Sequence, residues 1–374
     1  MLKKLYVLVS IEKMMLLTTR THLPYLLLVD SLRLSCLSPT STFNKNRYKI
    51  WFVTFVLALF VTVTLSANEP ASRTLNKQET TLKILASIKP LQLISQAITS
   101  GVLNTDILLP AGASPHDYCL KFSDRKKLDA ADLVLWIGPT METFLTSAFK
   151  SSNNQKNMAM MDIADISHRK EQKRHDNKDD KYTYHGSCHH SSHQHHGEYD
   201  PHIWLNPKNA LAIAKEIKEK LLLIDKREAN HGKYNANLLS FQKMIQEADQ
   251  QNIKLLQDIK HKPFFVFHDA YGHLQDHYNL TIAGYFAINP QQQPGVRHLD
   301  FLRRQLKDAG PTSVFREPQF QPAYINRLIE GLPVNINVLD PLADGIPITQ
   351  DGYVMFIRNI VRTISDTLNN QPEQ

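Results

Sequence analysis

The chain has 374 residues, with 43 Lys and Arg against 36 Asp and Glu, a net charge of +7 and a length that suits two domains of ordinary size. Most of the excess charge is at the front: residues 1–67 carry eight basic and two acidic side chains, and the remainder 35 and 34. A body this close to neutral excludes nucleic acid and an anionic membrane surface as its partners.

In chain order, the first element is an apolar run of 16 residues, 50–65, that follows Lys45, Arg47 and Lys49 and ends near Ala67. A basic stretch, an apolar stretch and a small residue make a secretory signal. The run is short for a membrane anchor, and nothing apolar of similar length follows it. No cysteine closes it, so a lipid-anchoring cleavage site is absent. Residues 1–44 precede a complete signal and are left out of the fold.

From Leu82 strand-like and helix-like segments alternate. Leu82–Ser87 reads as a buried strand, and Pro90 opens a helix with Leu91, Ile94 and Ile98 on one face, closed by Gly101. Asp106–Leu109 is a second strand, Ser123 can cap a short helix, Asp132–Ile137 is a third strand, and Met141–Phe149 is an amphipathic helix. The second half repeats the plan. Phe264–Phe267, Thr281–Ile288, Ser313–Phe315 and Asn335–Leu339 read as strands, and helices are expected near Leu299–Ala309, Pro322–Leu332 and Gly352–Leu368. Short, continuously apolar strands separated by helices predict α/β lobes with mostly parallel sheets covered on both faces. Between the halves, Lys233–Lys262 contains no Gly or Pro and repeats apolar residues at three- and four-residue steps, which predicts one long connecting helix. The expected division is 68–232 for the first lobe, 233–262 for the connecting helix and 263–374 for the second lobe.

Histidine is the informative residue. Nine of the 17 fall between His168 and His202. The tract 165–199 is dense in His, Lys, Asp and Ser and nearly free of aliphatic residues, so it is expected to be a disordered loop. Its His185, Cys188, His189, His190, His193, His195 and His196 are candidate accessory ligands for a borderline metal ion. Cys119 and Cys188 are the two cysteines beyond the signal; they could pair, but no structural disulfide framework is expected, and Cys188 reads as an extra soft ligand.

Three other histidines share a setting. His116 follows a strand in Pro110-Ala-Gly-Ala-Ser-Pro-His-Asp-Tyr, His202 sits in Asp200-Pro-His-Ile-Trp-Leu-Asn-Pro, and His268 ends the strand Phe264-Phe-Val-Phe. Ligands of open parallel sheets bind beyond the carboxyl ends of the strands, which points to one cleft site fed from two lobes. Asp117 and Asp269, which follow two of these histidines, are expected to cap helices, and His273 and His277 to be surface or core-edge groups.

With Ala131-Asp-Leu-Val-Leu-Trp-Ile-Gly-Pro, Phe267-His-Asp-Ala-Tyr, Phe315-Arg-Glu-Pro-Gln-Phe and Leu339-Asp-Pro-Leu, these motifs make the chain from about Leu82 resemble the ZnuA-type solute-binding proteins of ABC zinc importers. The resemblance implies a periplasmic monomer that carries zinc to a membrane permease and does no chemistry on it. It also implies His116, His202 and His268 as the metal ligands, with Asp340 as fourth ligand, outer carboxylate or plain turn residue. Manganese carriers of the same family place a carboxylate at the third position, so His268 points to zinc. Two departures stand out: Pro115 occupies a place where some zinc relatives have glutamate, and the second lobe has no cysteine for the disulfide that relatives can carry there.

The competing readings are a secreted zinc hydrolase, a manganese-binding homologue and a general metal buffer in which the histidine tract alone is active, the last leaving the two-lobed body unexplained. A hydrolase would want a His-Glu-x-x-His helix or a clear base beside an open metal position. That motif does not occur, and the best base candidate is Glu317.

Overall fold

Two four-stranded parallel sheets of identical topology organise the chain. The structure, a computed structural model, describes residues 81–150, 156–170, 198–287, 295–320 and 323–371. The expected signal, most of the histidine tract and Cys188 therefore lie outside the described residues. Both lobes belong to one compact unit, Thr80–Gln374.

In the first lobe β1 (Ile84–Ala86), β2 (Thr105–Ile107), β3 (Leu133–Trp136) and β4 (Asn157–Ala159) pair in the order β2-β1-β3-β4. β1 and β3 are buried along their whole length, so they read as continuous apolar runs. Helices α1 (Lys89–Thr99), α2 (Phe122–Ala130), α3 (Thr143–Lys150) and α4 (Pro207–Ile224) belong to the same lobe. α4 is missing from the sequence reading although its start is well marked: Asn206 caps it by accepting a hydrogen bond from the Lys208 N–H at 2.9 Å, and Pro207 follows. β4 was not expected either, because its three residues are only half-buried.

The connecting element is a single helix, α5 (His231–Leu256), 26 residues without a break. Asn252, which interrupts its apolar stripe, is buried and donates to the Tyr278 hydroxyl at 3.0 Å. The second lobe holds β5 (Phe264–His268), β6 (Ile282–Ala287), β7 (Thr312–Arg316) and β8 (Val334–Val338) in the order β6-β5-β7-β8. Its helices are α6 (Gly272–Tyr278), α7 (Val296–Asp308), α8 (Ala323–Ile329) and α9 (Gly352–Asn369).

One core runs through both lobes, and a second lies within the second lobe around Phe265, Phe286 and Leu306. A continuous set of buried residues runs from Leu91 and Ile94 on α1, through Phe241 and Ile245 on α5, to Phe264 on β5 and Ile360 on α9. α9 packs on α5 and α1. Added to this are directional ties between the halves. The Trp204 indole N–H donates to the Pro341 carbonyl at 2.8 Å, and the Tyr353 hydroxyl donates to the Trp204 carbonyl at 2.8 Å. With a long helix, a common core and buried hydrogen bonds between them, the lobes form a stiff frame for whatever lies in the cleft.

Candidate metal site

The strand order places a switch point between β1 and β3 in one lobe and between β5 and β7 in the other. In the first lobe that position is filled. Ser87 Oγ, just past β1, donates to Glu142 Oε1 at 2.5 Å, and Glu142 also accepts from the N–H groups of Ile137 and Gly138 at 3.1 and 2.9 Å. In the second lobe β5 and β7 run parallel with Val266 opposite Phe315. Carrying that register two residues further brings His268 beside Glu317, and the His268 Nδ1–H is hydrogen-bonded to the Glu317 carboxylate. Both groups are almost completely buried.

His202 arrives from the first lobe on the loop before a short 3-10 turn, Ile203–Leu205. Asp200, two residues earlier, fixes it twice. One carboxylate oxygen accepts from the His202 backbone N–H at 3.0 Å and from ring Nδ1 at 2.8 Å. Burial works to raise the Asp200 carboxyl, but the His202 hydrogen bond and the nearby imidazoles outweigh it and hold it below the ordinary carboxylate range. His116 completes the group from the loop after β2, half-buried, with its backbone N–H on Ser114 Oγ at 3.3 Å. Ring centroids are 5.4 Å apart for His116–His202, 5.7 Å for His116–His268 and 5.2 Å for His202–His268. One nitrogen from each of the three lies within 4.8 Å of the others, the only such set of potential metal ligands among the described residues.

The proton positions decide what this arrangement can do. Ionised carboxylates only accept, so Asp200 and Glu317 keep the protons of His202 and His268 on Nδ1. The two Nε2 lone pairs then face one another at 3.3 Å. Two acceptors at that distance repel unless a cation lies between them. Zinc–nitrogen bonds of about 2.0–2.1 Å in a tetrahedron put neighbouring nitrogens about 3.3–3.4 Å apart, so the pair already stands at the spacing a shared zinc ion requires. The surrounding wall is formed by Pro115, Trp204, Phe320, Pro341 and Leu342, which keep bulk water from competing for the ion.

The similarities of the chain agree with this geometry. The profile of the family described as zinc-uptake complex component A, periplasmic (ZnuA), matches residues 84–367. The chain belongs to the ZnuA family. Over 282 residues it is 38% identical to the high-affinity zinc uptake system protein ZnuA of Yersinia pestis, an alignment covering 74% of this chain and 88% of that one. The corresponding protein of Haemophilus influenzae is 32% identical over 315 residues, covering 76% and 92% of the two chains. Among solved structures, a zinc-bound ZnuA deletion mutant superposes with a TM-score of 0.63 at 23% identity, covering 78% of this chain and 99% of that one, which shows the shared fold. As a family member the chain is a periplasmic zinc-binding protein of a zinc uptake system and not an enzyme.

Several residues take roles that the sequence alone does not assign. Asp340 stands apart from the histidine set: its Oδ1 accepts from Gln319 Nε2 at 2.9 Å and the Leu342 N–H at 3.0 Å, and its Oδ2 from the Asp344 N–H at 2.6 Å. Asp117 and Asp269 do not cap. α2 has Lys121 at its N-cap and α6 has Tyr271, neither with Asp117 or Asp269 beside it. His273 is buried, not at the surface, and its ring N–H donates to the Asp200 carbonyl at 3.0 Å, which steadies the loop carrying His202. His277 pairs with Asp249 at 2.7 Å. Glu317, read from sequence as a possible hydrolase base, is committed to His268. Cys119 is disulfide-bonded, a possibility the sequence leaves open, and the other two cysteines, Cys36 and Cys188, lie outside the described residues. Of the expected loop, residues 165–170 and 198–199 are described, with Lys170 and Tyr199 bridged and the His168 ring 5.1 Å from Tyr199, and the rest lies outside the described residues.

Proposed function

We propose that His116, His202 and His268 bind one zinc ion through three neutral imidazole nitrogens, that water takes the fourth position, and that the loaded monomer delivers the ion to an ABC-type membrane permease. The observation that carries this reading is the pair of Nε2 atoms held 3.3 Å apart, with a carboxylate behind each ring. Neutral nitrogen donors favour zinc over manganese, whose harder ion prefers carboxylate and water oxygen. Asp340 is a turn residue in this proposal, because three N–H groups already occupy its carboxylate.

The histidine tract, with His185, His189, His190, His193, His195 and His196, gathers zinc at low affinity near the cleft. Cys188 adds a soft sulfur donor to it. Zinc content and competition titration of the chain from residue 68 test the whole scheme. Each of His116→Ala, His202→Ala and His268→Ala should weaken the tight site by more than the roughly 10–100-fold typical of changes behind the ligands. Wild-type affinity in any one of them would remove that histidine from the site, and manganese binding equal to zinc would overturn the selectivity argument.

A further inference from the structure

One oxygen of the carboxylate behind His202 is left over. Asp200 Oδ1 carries both bonds to His202, while Oδ2 is buried without a hydrogen bond among the described residues. The cation facing it is the guanidinium of Arg169, with Nη1 at 3.5 Å. That guanidinium is itself mostly buried, and its Nε reaches Asp276 Oδ2 on α6 at 3.1 Å. Arg169 thus spans an acid of the first lobe and an acid of the second.

Its placement is over-determined. The Arg169 carbonyl accepts from the Asp200 N–H at 2.8 Å, and the adjoining Lys170–Tyr199 bridge holds the two chain segments side by side. On the far side the guanidinium lies against Gly272 at the start of α6. A Cβ added to Gly272 would come within 2.2 Å of Nη1, so only glycine lets the arginine in. A buried carboxylate needs a fixed positive partner to stay ionised, and a planar fork holds two acids in a set orientation where an ammonium acts as a rotatable point charge.

We propose that Arg169 is a positioning residue of the zinc site: it holds Asp200, and through Asp200 the His202 ring, in register with α6 of the second lobe. This deepens the ligand assignment above and rests on His202 being a ligand. It also gives the histidine tract a defined root, since residues 171–197 leave from Lys170 and return at Glu198, on the two segments that Arg169 ties together.

The test uses the chain from residue 68, loaded with zinc for affinity and with cobalt(II) for visible absorption, which reports ligand geometry. Arg169→Gln should weaken zinc binding by about 10–100-fold and shift the cobalt spectrum. Arg169→Lys, keeping charge but losing the fork, should recover part of the affinity. Gly272→Ala, which displaces the guanidinium from the other lobe, should reproduce the Arg169→Gln spectrum, and the double variant should add nothing further. Lys170→Gln at the neighbouring exposed ion pair should behave as wild type. A folded Arg169→Gln with wild-type affinity and spectrum overturns the proposal, as does a lowered Tm with both unchanged. Should Arg169→Gln fail to fold, wild-type spectra in Gly272→Ala and Asp276→Asn together overturn it. His202→Ala in the same titration separates the two levels. If it loses binding while Arg169→Gln does not, only the positioning role fails; if it binds as wild type, the ligand assignment falls as well.

Discussion

Replacing Glu317 separates two things that its carboxylate does for His268. Glu317 is 1% exposed and accepts the His268 Nδ1 proton. A hydrogen bond to a charged group is worth roughly 1.5–3 kcal/mol, and a neutral one roughly 0.5–1.5. Glu317→Gln can still accept that proton through its amide oxygen, so it loses only the difference, about 1 kcal/mol. Zinc affinity should therefore fall by about 5–10-fold. Glu317→Ala leaves a buried N–H without an acceptor and frees the ring to turn its proton toward the cleft, which should cost about 10–100-fold. Competition against a chromophoric chelator at pH 7 measures both. If Glu317→Ala binds zinc no worse than Glu317→Gln, the carboxylate does not set the ring's orientation. If both match wild type, it does not serve the site at all.

Three further outcomes are expected. Burial raises the Glu142 carboxyl from its ordinary 4.5 to about 7, against the opposing hydrogen bonds from Ser87 and the Gly138 and Ile137 N–H groups. Its protonated form is thus favoured by folding, so its contribution is full below pH 4.5 and is lost as pH rises through about 7, a change of about 3 kcal/mol. The stability difference between wild type and Glu142→Gln in urea should move by that amount from pH 4.5 to 7.5, and a pH-independent difference would refute it. Phe241→Ala on α5 removes a fully buried ring packed 5.8 Å from Tyr353, and should cost about 3–5 kcal/mol and lower Tm by about 6–20 °C. Calorimetry showing less than half of that would mean the cavity collapses. Excising residues 171–197 should reduce total zinc bound and leave the cleft affinity unchanged, whereas excising 165–199 should weaken the cleft because it also removes Arg169; equal affinities in isothermal titration would contradict this.

The periodic parts of this protein are legible without its structure because burial writes itself into neighbouring residues. β1 and β3, buried on both faces, are unbroken apolar runs, and the stripe on α5 repeats at helical steps. The three histidines were legible as well, since each lies where a strand or loop ends and the motifs around them are those of the ZnuA family. The Asp200–His202 contact spans only two residues, yet the sequence reading does not assign it. β4 is not legible because three half-buried residues carry too little pattern to stand out; α4, 18 residues with a capping Asn206 and Pro207 at its start, is legible in the sequence and missing from the sequence reading.

What tertiary structure alone decided is how distant segments meet. Glu317 reaches His268 across 49 residues because β5 and β7 are neighbours in one parallel register. Trp204 finds the Pro341 carbonyl across 137 residues, and Arg169 finds Asp276 on the opposite lobe. Asp340 accepts from the Leu342 and Asp344 N–H groups of its own loop and from Gln319 on a distant one. Side-chain chemistry and periodicity are local properties of the chain. The direction in which an imidazole nitrogen points depends on which carboxylate lies behind it, and sheet order and lobe docking bring that carboxylate there.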